Sequence, residues 1–494
     1  MIRHCRPFLA LNGKPNLFFN AVSLRALLYG LVAAGMVLSP SYAKGETFQE
    51  ALTSVYNSNP RLLAARAQVR EVDENYIQAR SQGRFNANLA GNIGPAILRS
   101  SGPIVPGVPD QTFTREDFPT SGQFQIIQPL YQGGRVRALK DQAKAGILAA
   151  REQLRNSEQD LMMQGANAYA NVLRDEEAAR IRRNNVSVLA RQEMAAKDRF
   201  DVGVGTKTDI AQAQSRLAAA ESGLAMADAQ LQASRATYIR VIGHVPVDLQ
   251  IVPSFELPPT LAAAIALARQ NNPALLAAIY NQEASKAGVK VAKSANKPVV
   301  TLNGAVAGQR LQIAGLPTND LASLTAQVTI PIFSGGNNKS RVRQAKEAQT
   351  RIGFEIRDME RTIDEGVRQI WAQLEAARLT LKSTRLQVQA SEVAFTGVEL
   401  EQSVGTRTTL DVLDAEQEVL NSKLSEIDAE LNLNLATFQL LTVLGVFDAQ
   451  GIRLPIDYYD PVDNFDKVKS DRISRLTDKI VPETIKSTVQ DMVK

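Results

Sequence analysis

The chain has 494 residues, 22% charged and only 5% aromatic, a composition suited to long packed helices rather than one core of large side chains. Its formal charge of +5 falls to +1 once Arg3, Arg6, Lys14 and Arg25 of an N-terminal leader are set aside, so the basic balance makes no case for nucleic acid. Cys5 lies in that leader and His244 is the one histidine beyond it, which excludes disulfides, thiolate catalysis, lipidation at a mature N-terminal cysteine and multi-histidine metal sites.

The leader, residues 1–43, reads as a secretory signal. An apolar run from Ala26 to Leu38 precedes Ser41-Tyr42-Ala43, and cleavage is expected before Lys44. About 13 residues are too few to span a bilayer. No later apolar run reaches about 18, so the exported chain is expected to be soluble or to cross a membrane as a β-barrel.

The rest is written twice. Asn59-Pro60, opening "NPRLLAA", returns as Asn272-Pro273 in "NPALLAA", an offset of 213. "QPLYQGGR" at 128–135 returns as "IPIFSGGN" at 330–337, Val202-Gly203 as Val404-Gly405, and "RVIGH" at 240–244 as "TVLGV" at 442–446, all at 202. Landmarks holding one offset over more than a hundred residues mark a duplication, with repeats at 44–245 and 246–446 and a C-terminal extension at 447–494. The change of offset, about 11 residues, falls between the first two landmarks, as for a variable loop between strands.

In chain order, each repeat opens with an amphipathic helix, over 47–80 and 260–294. Next, Phe85, Ala87, Leu89, Gly91 and Ile93 alternate with Asn86, Asn88, Ala90 and Asn92. In the second repeat Leu324, Ala326, Val328 and Ile330 alternate with Thr325, Gln327 and Thr329. Residues 122–128 and 298–306 supply two more strands. Such alternation fits membrane strands with one face to lipid; a half-buried soluble hairpin has the same pattern, and both readings stand at this point.

A proline-free stretch then predicts a long helix over about 136–200 and a second helix returning. Ile210, Ala213, Leu217, Ala220, Leu224, Ala227 and Leu231 form a heptad seam on it, and Leu410, Leu413, Gln417, Leu420, Leu424, Ile427 and Leu431 form one in the second repeat. Between the helices, Gly203 and Gly405 turn the chain. Thr206 and Thr408 are placed to cap the returning helices, with Asp209 and Asp411 three residues on as in a capping box. Capping accounts for those two aspartates but not for Asp414, one turn deeper on the face of Asp411.

This order of elements behind a signal resembles the TolC family of outer-membrane channel-tunnels, over about residues 46–446. "VGTRTTLDVLDAEQEVL" at 404–420 is the most specific match. The resemblance implies mixed α and membrane-β structure. Three chains would give four strands each to a twelve-stranded barrel in the outer membrane of a Gram-negative bacterium, continued by a helical tunnel across the periplasm. It implies that Asp411 and Asp414 ring the periplasmic constriction and bind cations there. It also implies that Arg407, Thr208 and Asp209 hold the tips shut. Gln402 stands where the family has a closing tyrosine, a departure that weakens one contact. The tip turns, Val202, Gly203, Val404 and Gly405, would meet the adaptor.

The implied function is a passive exit duct for drugs and toxic compounds, a homotrimer in outer-membrane lipid opened by an inner-membrane transporter and a periplasmic adaptor. The alternatives are the exit duct of type I protein secretion and a non-channel coiled-coil scaffold of the periplasm. No catalytic residue, metal or cofactor is expected. Of the extension, a collar around the tunnel is expected near its start and disorder towards Lys494.

Overall fold

The computed structural model describes residues 45–102, 111–310 and 319–470; the expected signal, and the expected disorder beyond Ser470, lie outside them. The first repeat holds α1 (Phe48–Ser58), α2 (Pro60–Ser81), β1 (Asn86–Ile93), β2 (Ala96–Gly102), β3 (Gln111–Asp117), β4 (Thr120–Gln132), α3 (Arg135–Asp201) and α4 (Lys207–Ile242). The second holds α5 (Leu261–Asn271), α6 (Pro273–Ser294), β5 (Val299–Arg310), β6 (Asn319–Thr329), α7 (Asn337–Ser403) and α8 (Thr409–Val443), and α9 (Pro461–Lys469) follows.

The single opening helix expected in each repeat is two. Asn59 is extended and caps α2 by accepting the Arg61 N–H, while Pro60 takes the first helical position, where a missing N–H costs nothing. The Asn59 amide also donates to the Val241 carbonyl at 3.0 Å, satisfying an acceptor left open in the last turn of α4. Asn272 repeats both roles: it accepts the Leu275 N–H and donates to the Val443 carbonyl at 3.1 Å. Each Asn-Pro pair is thus a joint that sets the start of one helix on the end of another, α2 on α4 and α6 on α8.

The joints explain the helix lengths. α3 and α7 have 67 residues each, roughly 100 Å at 1.5 Å per residue, but α4 and α8 have only 36 and 35. Between joint and tip the helices pack in the row α4–α3–α8–α7; on the strand side the row is α2–α3–α6–α7. The α4 seam faces inward as expected, with Ala213 and Leu231 buried. The single seam expected on α8 needs correcting. Leu413 and Leu420 are buried, but so are Val412, Glu416, Val419 and Ser422, because α8 packs between α7 and α3, while Leu410 is 41% exposed. At the outer edge of the row, Leu379, Leu386, Val393 and Leu400 form an exposed heptad stripe on α7, each at least 66% accessible.

The strands β1, β4, β5 and β6 form one antiparallel sheet in the order β1-β4-β5-β6. Directly paired residues share a face: Leu89, Phe124, Val306 and Ala322 line one row, and Ala87, Ile126, Gly304 and Leu324 the next. The opposite face carries Asn88, Gln125, Ala305 and Ser323. Leu89 is 82% and Leu324 74% exposed in the single chain. Among the described residues no helix covers either face, so the expected four-stranded sheet is present with its apolar face open in them. The offset change proves to be more than a loop. The pair β2–β3 continues the β1–β4 hairpin without change of register, from Ile93 opposite Thr120 to Ala96 opposite Asp117 and on to Gly102 opposite Gln111. Gly94-Pro95 and Pro119 interrupt the ladder between them.

The core gathers at the joints. Phe48 of α1 stacks on Phe438 at 5.5 Å between centroids, and Phe438 on Phe447 at 5.6 Å. Past α8 the chain turns back over α3. Arg155 donates to Asp448 at 2.9 Å and to the Gly445 carbonyl at 2.7 Å, and half-buried Glu158 accepts the Ala449 N–H at 2.7 Å. Burial pushes the Glu158 carboxyl up to about 7. α9 then lies on α2, with Asn464 donating to buried Asp73 and Phe465 against Tyr76. Gly445 closes this corner: its φ is +77, and a Cβ there would lie 2.3 Å from the Asn271 carbonyl oxygen. Gly445→Ala should destabilise the fold by at least about 2 kcal/mol, from left-handed strain plus overlap with backbone. A thermal melt followed by circular dichroism checks this, and an unchanged midpoint would contradict it.

Candidate functional site

Both helical hairpins reverse through five residues, 202–206 and 404–408. Gly203 and Gly405 take φ of +81 and +83, a region a side chain rarely enters. Val204 and Gly205 N–H groups close the first turn on the Arg199 carbonyl, and Thr406 closes the second on Glu401 by N–H and hydroxyl. Val202, Val204 and Val404 are at least 70% exposed, so each turn presents small apolar side chains to solvent.

Both capping boxes form. Asp209 N–H donates to Thr206 Oγ1 at 3.2 Å, and Asp209 Oδ2 accepts the Thr206 N–H at 3.0 Å and its hydroxyl at 2.8 Å. Thr408 and Asp411 repeat this at 3.2, 2.8 and 2.7 Å. The Thr408 N–H and hydroxyl hold the Asp411 carboxyl below the usual carboxylate range, with Arg407 adding a smaller pull. A carboxyl lowered on folding stabilises above its unfolded value, and that contribution is lost as pH falls through the folded one. The Asp411 cap is therefore intact at neutral pH and weakens only in acid.

Within the chain Arg407 pairs with Glu401 of its own hairpin, Nε to Oε2 at 2.9 Å, rather than with Asp209. The reason is local: the five-residue turn brings positions 401 and 407 together, while the Asp209 carboxylate is occupied by its cap. Thr208 lies exposed in the first turn of α4. Gln402 takes part in a link between hairpins: Arg199 of α3 donates to Gln402 Oε1 at 3.4 Å and to Thr409 Oγ1 at 3.3 Å, and Gln402 donates to Thr409 Oγ1. Asp414 is held from the other hairpin, by Arg216 of α4 at 2.7 Å. Deeper in the row Asn185 of α3 donates to Glu416 of α8 at 3.0 Å in a buried pair. Arg199, Arg216 and Asn185 read in sequence as residues of a solvated helix face, and nothing local marks their partners about 200 positions away.

The chain thus carries a carboxylate pair, half-buried Asp411 and exposed Asp414, one turn apart at the tip of a long helical hairpin, with a basic partner reaching Asp414 from the neighbouring hairpin. The other end of the same hairpins is a sheet with one apolar and one polar face. Among the described residues no helix is long and apolar enough to cross a membrane, and no group of acidic, histidine or cysteine residues is arranged to hold a metal ion.

The model of the outer membrane efflux protein family matches residues 51–244 and 264–446. The chain belongs to that family. The outer membrane efflux protein BepC of Brucella suis is 32% identical over 444 residues, 89% of this chain and 94% of that one. The outer membrane protein TolC of Vibrio cholerae is 26% identical over 87% of this chain and 97% of its own length. The alkaline protease secretion protein AprF of Pseudomonas aeruginosa is 23% identical over 70% and 75%. Among solved structures, the Campylobacter jejuni CmeC outer membrane channel superposes with a TM-score of 0.68 at 14% identity, covering 87% of this chain and 90% of that one. Efflux-family membership makes the sheet a membrane element in the outer membrane of a Gram-negative bacterium, with the helices in the periplasm.

Arg216 is the contact to break. An exposed ion pair of this kind is worth up to about 1 kcal/mol, so Arg216→Ala should raise the time-averaged single-channel conductance by up to about fivefold. Arg407→Ala, which cuts only a bond within one hairpin, should change it less. The reverse order of the two variants would contradict the placement of the inter-hairpin contact at Arg216.

Proposed function

We propose that this efflux-family protein is the passive outer-membrane exit duct of a tripartite system expelling small toxic compounds. Three copies complete a twelve-stranded barrel and a helical tunnel below it. The observation that carries this reading is the four-stranded sheet with an apolar and a polar face, over neither of which a helix lies among the described residues, joined to hairpins whose tips bear carboxylates. A periplasmic scaffold has no use for such a sheet. A duct needs it, because lipid faces one side and water the other.

The helical row supports the assembly as well. The large exposed side chains on α7 stand at one end of the row, and α4 at the other end exposes Ala211, Ala218 and Ala225 at the same heptad spacing. Large residues on one edge and small ones on the opposite edge suit a head-to-tail ring. In such a ring the tips converge, and Asp411 and Asp414 of three copies bring six carboxylates to one constriction that concentrates cations. An adaptor bound at the Val202-Gly203 and Val404-Gly405 turns, working with an inner-membrane transporter, would part the hairpins. The likeness to AprF favours a second reading, the same duct serving a protein-secretion pump; the two differ in the partner at the inner end, not in the duct.

The test is the reversal potential under a salt gradient, for wild type and for Asp411→Asn combined with Asp414→Asn. The wild type should prefer cations and the variant should lose most of that preference. Equal reversal potentials would confine the two aspartates to capping and packing.

A further inference from the structure

The chain beyond the leader carries a net charge of only +1, but that charge is spread unevenly. The ten residues nearest the sheet on each of α2, α3, α6 and α7, taken with the linkers to the strands, hold fourteen lysines and arginines against Asp73, Glu74 and Asp141. α3 contributes Arg135, Arg137, Lys140 and Lys144, and α7 contributes Lys339, Arg341, Arg343 and Lys346. α6 contributes Lys286, Lys290, Lys293 and, in its linker, Lys297. Of the cations on these three helices only Lys286 has an acidic partner among the described residues, Glu283. Further from the sheet the same helices pair their cations: Arg155 with Glu152 and Arg180 with Glu177 on α3, Arg351 with Glu355 and Arg378 with Glu375 on α7. Near the sheet that pairing is missing.

Two features make this level a costly place for cations with no anion beside them. α3 and α7 both start here, and a helix start favours negative charge, yet neither has an acidic residue in its first turn. Gly134 and Gly336 precede them, so no side chain caps either start. Arg135 and Arg137 thus lie at the positive end of α3, and Lys339 and Arg341 at that of α7. One anion from outside the chain meets both needs, the open helix start and the unpaired cations.

The level fits a lipid headgroup. β5 has 12 residues, which at about 3.3 Å each and a tilt of about 45° cross about 28 Å, the thickness of a bilayer's hydrocarbon. The helices begin where the sheet ends, so their first cations stand at the hydrocarbon boundary, within reach of long basic side chains. The cations on α3 and α6 also share one side of the row. Gln142 and Gly288 line a groove together. Two residues further on is about 200° round a helix, so Lys144 and Lys290 stand on the opposite side from that groove. It is the side of α9: Lys144 Nζ lies 5.7 Å from the Tyr76 ring, against which Phe465 of α9 packs. In the ring proposed above, that side faces out of the bore.

We propose that these cations form a belt around the duct that binds anionic phospholipid headgroups in the leaflet facing the periplasm. This rests on the barrel and ring proposed above. The lysines of α6, which packs between α3 and α7, and the open starts of those two helices meet the phosphates.

Purified protein is equilibrated in mixed micelles holding equal phosphatidylglycerol and phosphatidylcholine, passed over a sizing column, and its retained lipid counted by mass spectrometry. Wild type should keep phosphatidylglycerol in at least about fivefold excess. Arg137→Gln, Lys144→Gln, Lys290→Gln and Lys293→Gln together should bring the two lipids close to parity. Lys207→Gln, Arg361→Gln, Arg368→Gln and Lys382→Gln, an equal loss of charge at exposed positions away from the sheet, should keep the excess. Parity in wild type, or an excess that survives in the first variant, overturns the belt. Displacement of the retained lipid by free glycerol phosphate overturns its assignment to a membrane. Parity in wild type together with binding to purified cell-wall sacculi that only the first variant loses would give these cations to cell-wall carboxylates instead. Mass photometry of the same samples reports the assembly separately. Trimers without a lipid preference leave the ring standing, and particles of one chain overturn the ring.

Discussion

A backbone N–H or C=O inside a bilayer must find its partner within the protein, because lipid offers none. Among the described residues of the single chain, β1 and β6 each leave one edge without a neighbour, and the rest of the architecture follows from removing those edges. Four strands are too few to close on themselves, so the edges are met by further copies. Closure of the sheet then fixes the number and direction of the helices beneath it. The unmatched ends of the helical row, large side chains on α7 and small ones on α4, are the same incompleteness seen at the periplasmic level.

Between sheet and tip, rigidity comes from the joints. A helix of 67 residues alone would bend, but α3 and α7 are flanked along their length by shorter helices set end to end at Asn59 and Asn272. Each asparagine caps one helix and terminates another, so two columns of two helices stand beside two unbroken ones. The aromatic cluster around Phe438 and the returning chain held by Arg155 and Glu158 brace the same level. Below the joints α4 and α8 start from exposed turns. There the hairpins meet through polar contacts, Arg199 with Gln402 and Thr409, Asn185 with Glu416, and Arg216 with Asp414. Polar links between packed hairpins can be exchanged for water at low cost, which suits the opening proposed for this end.

How much of this was written locally differs from place to place. The capping boxes were legible because donor and acceptor lie three residues apart in an arrangement any helix start can use. The strands were legible because Leu89, Gly91 and Ile93 keep a period of two. The joint at Asn59 was not, since apolar periodicity runs through it and proline at a first helical position leaves the pattern intact. The continuation of the first hairpin through β2 and β3 was hidden by Gly94-Pro95, which ends the alternation without ending the ladder. The second buried face of α8 was missed because Val412, Val419 and Ser422 lie off the expected seam, on a helix packed between α7 and α3. Arg216 and Asp414 are 198 positions apart, and only the row of helices brings them together. For Arg407 the resemblance pointed across hairpins, while the shorter path to Glu401 decides the contact within the chain.

In the proposed duct, assembled copies enclose a continuous aqueous path whose narrowest point is the helical tip. Purified protein added to a planar bilayer tests it most directly. Discrete conductance steps, small in the wild type and larger when the Arg216 contact is removed, are the expected result. A folded, assembled preparation that inserts into the membrane and passes no current with either protein would contradict the account.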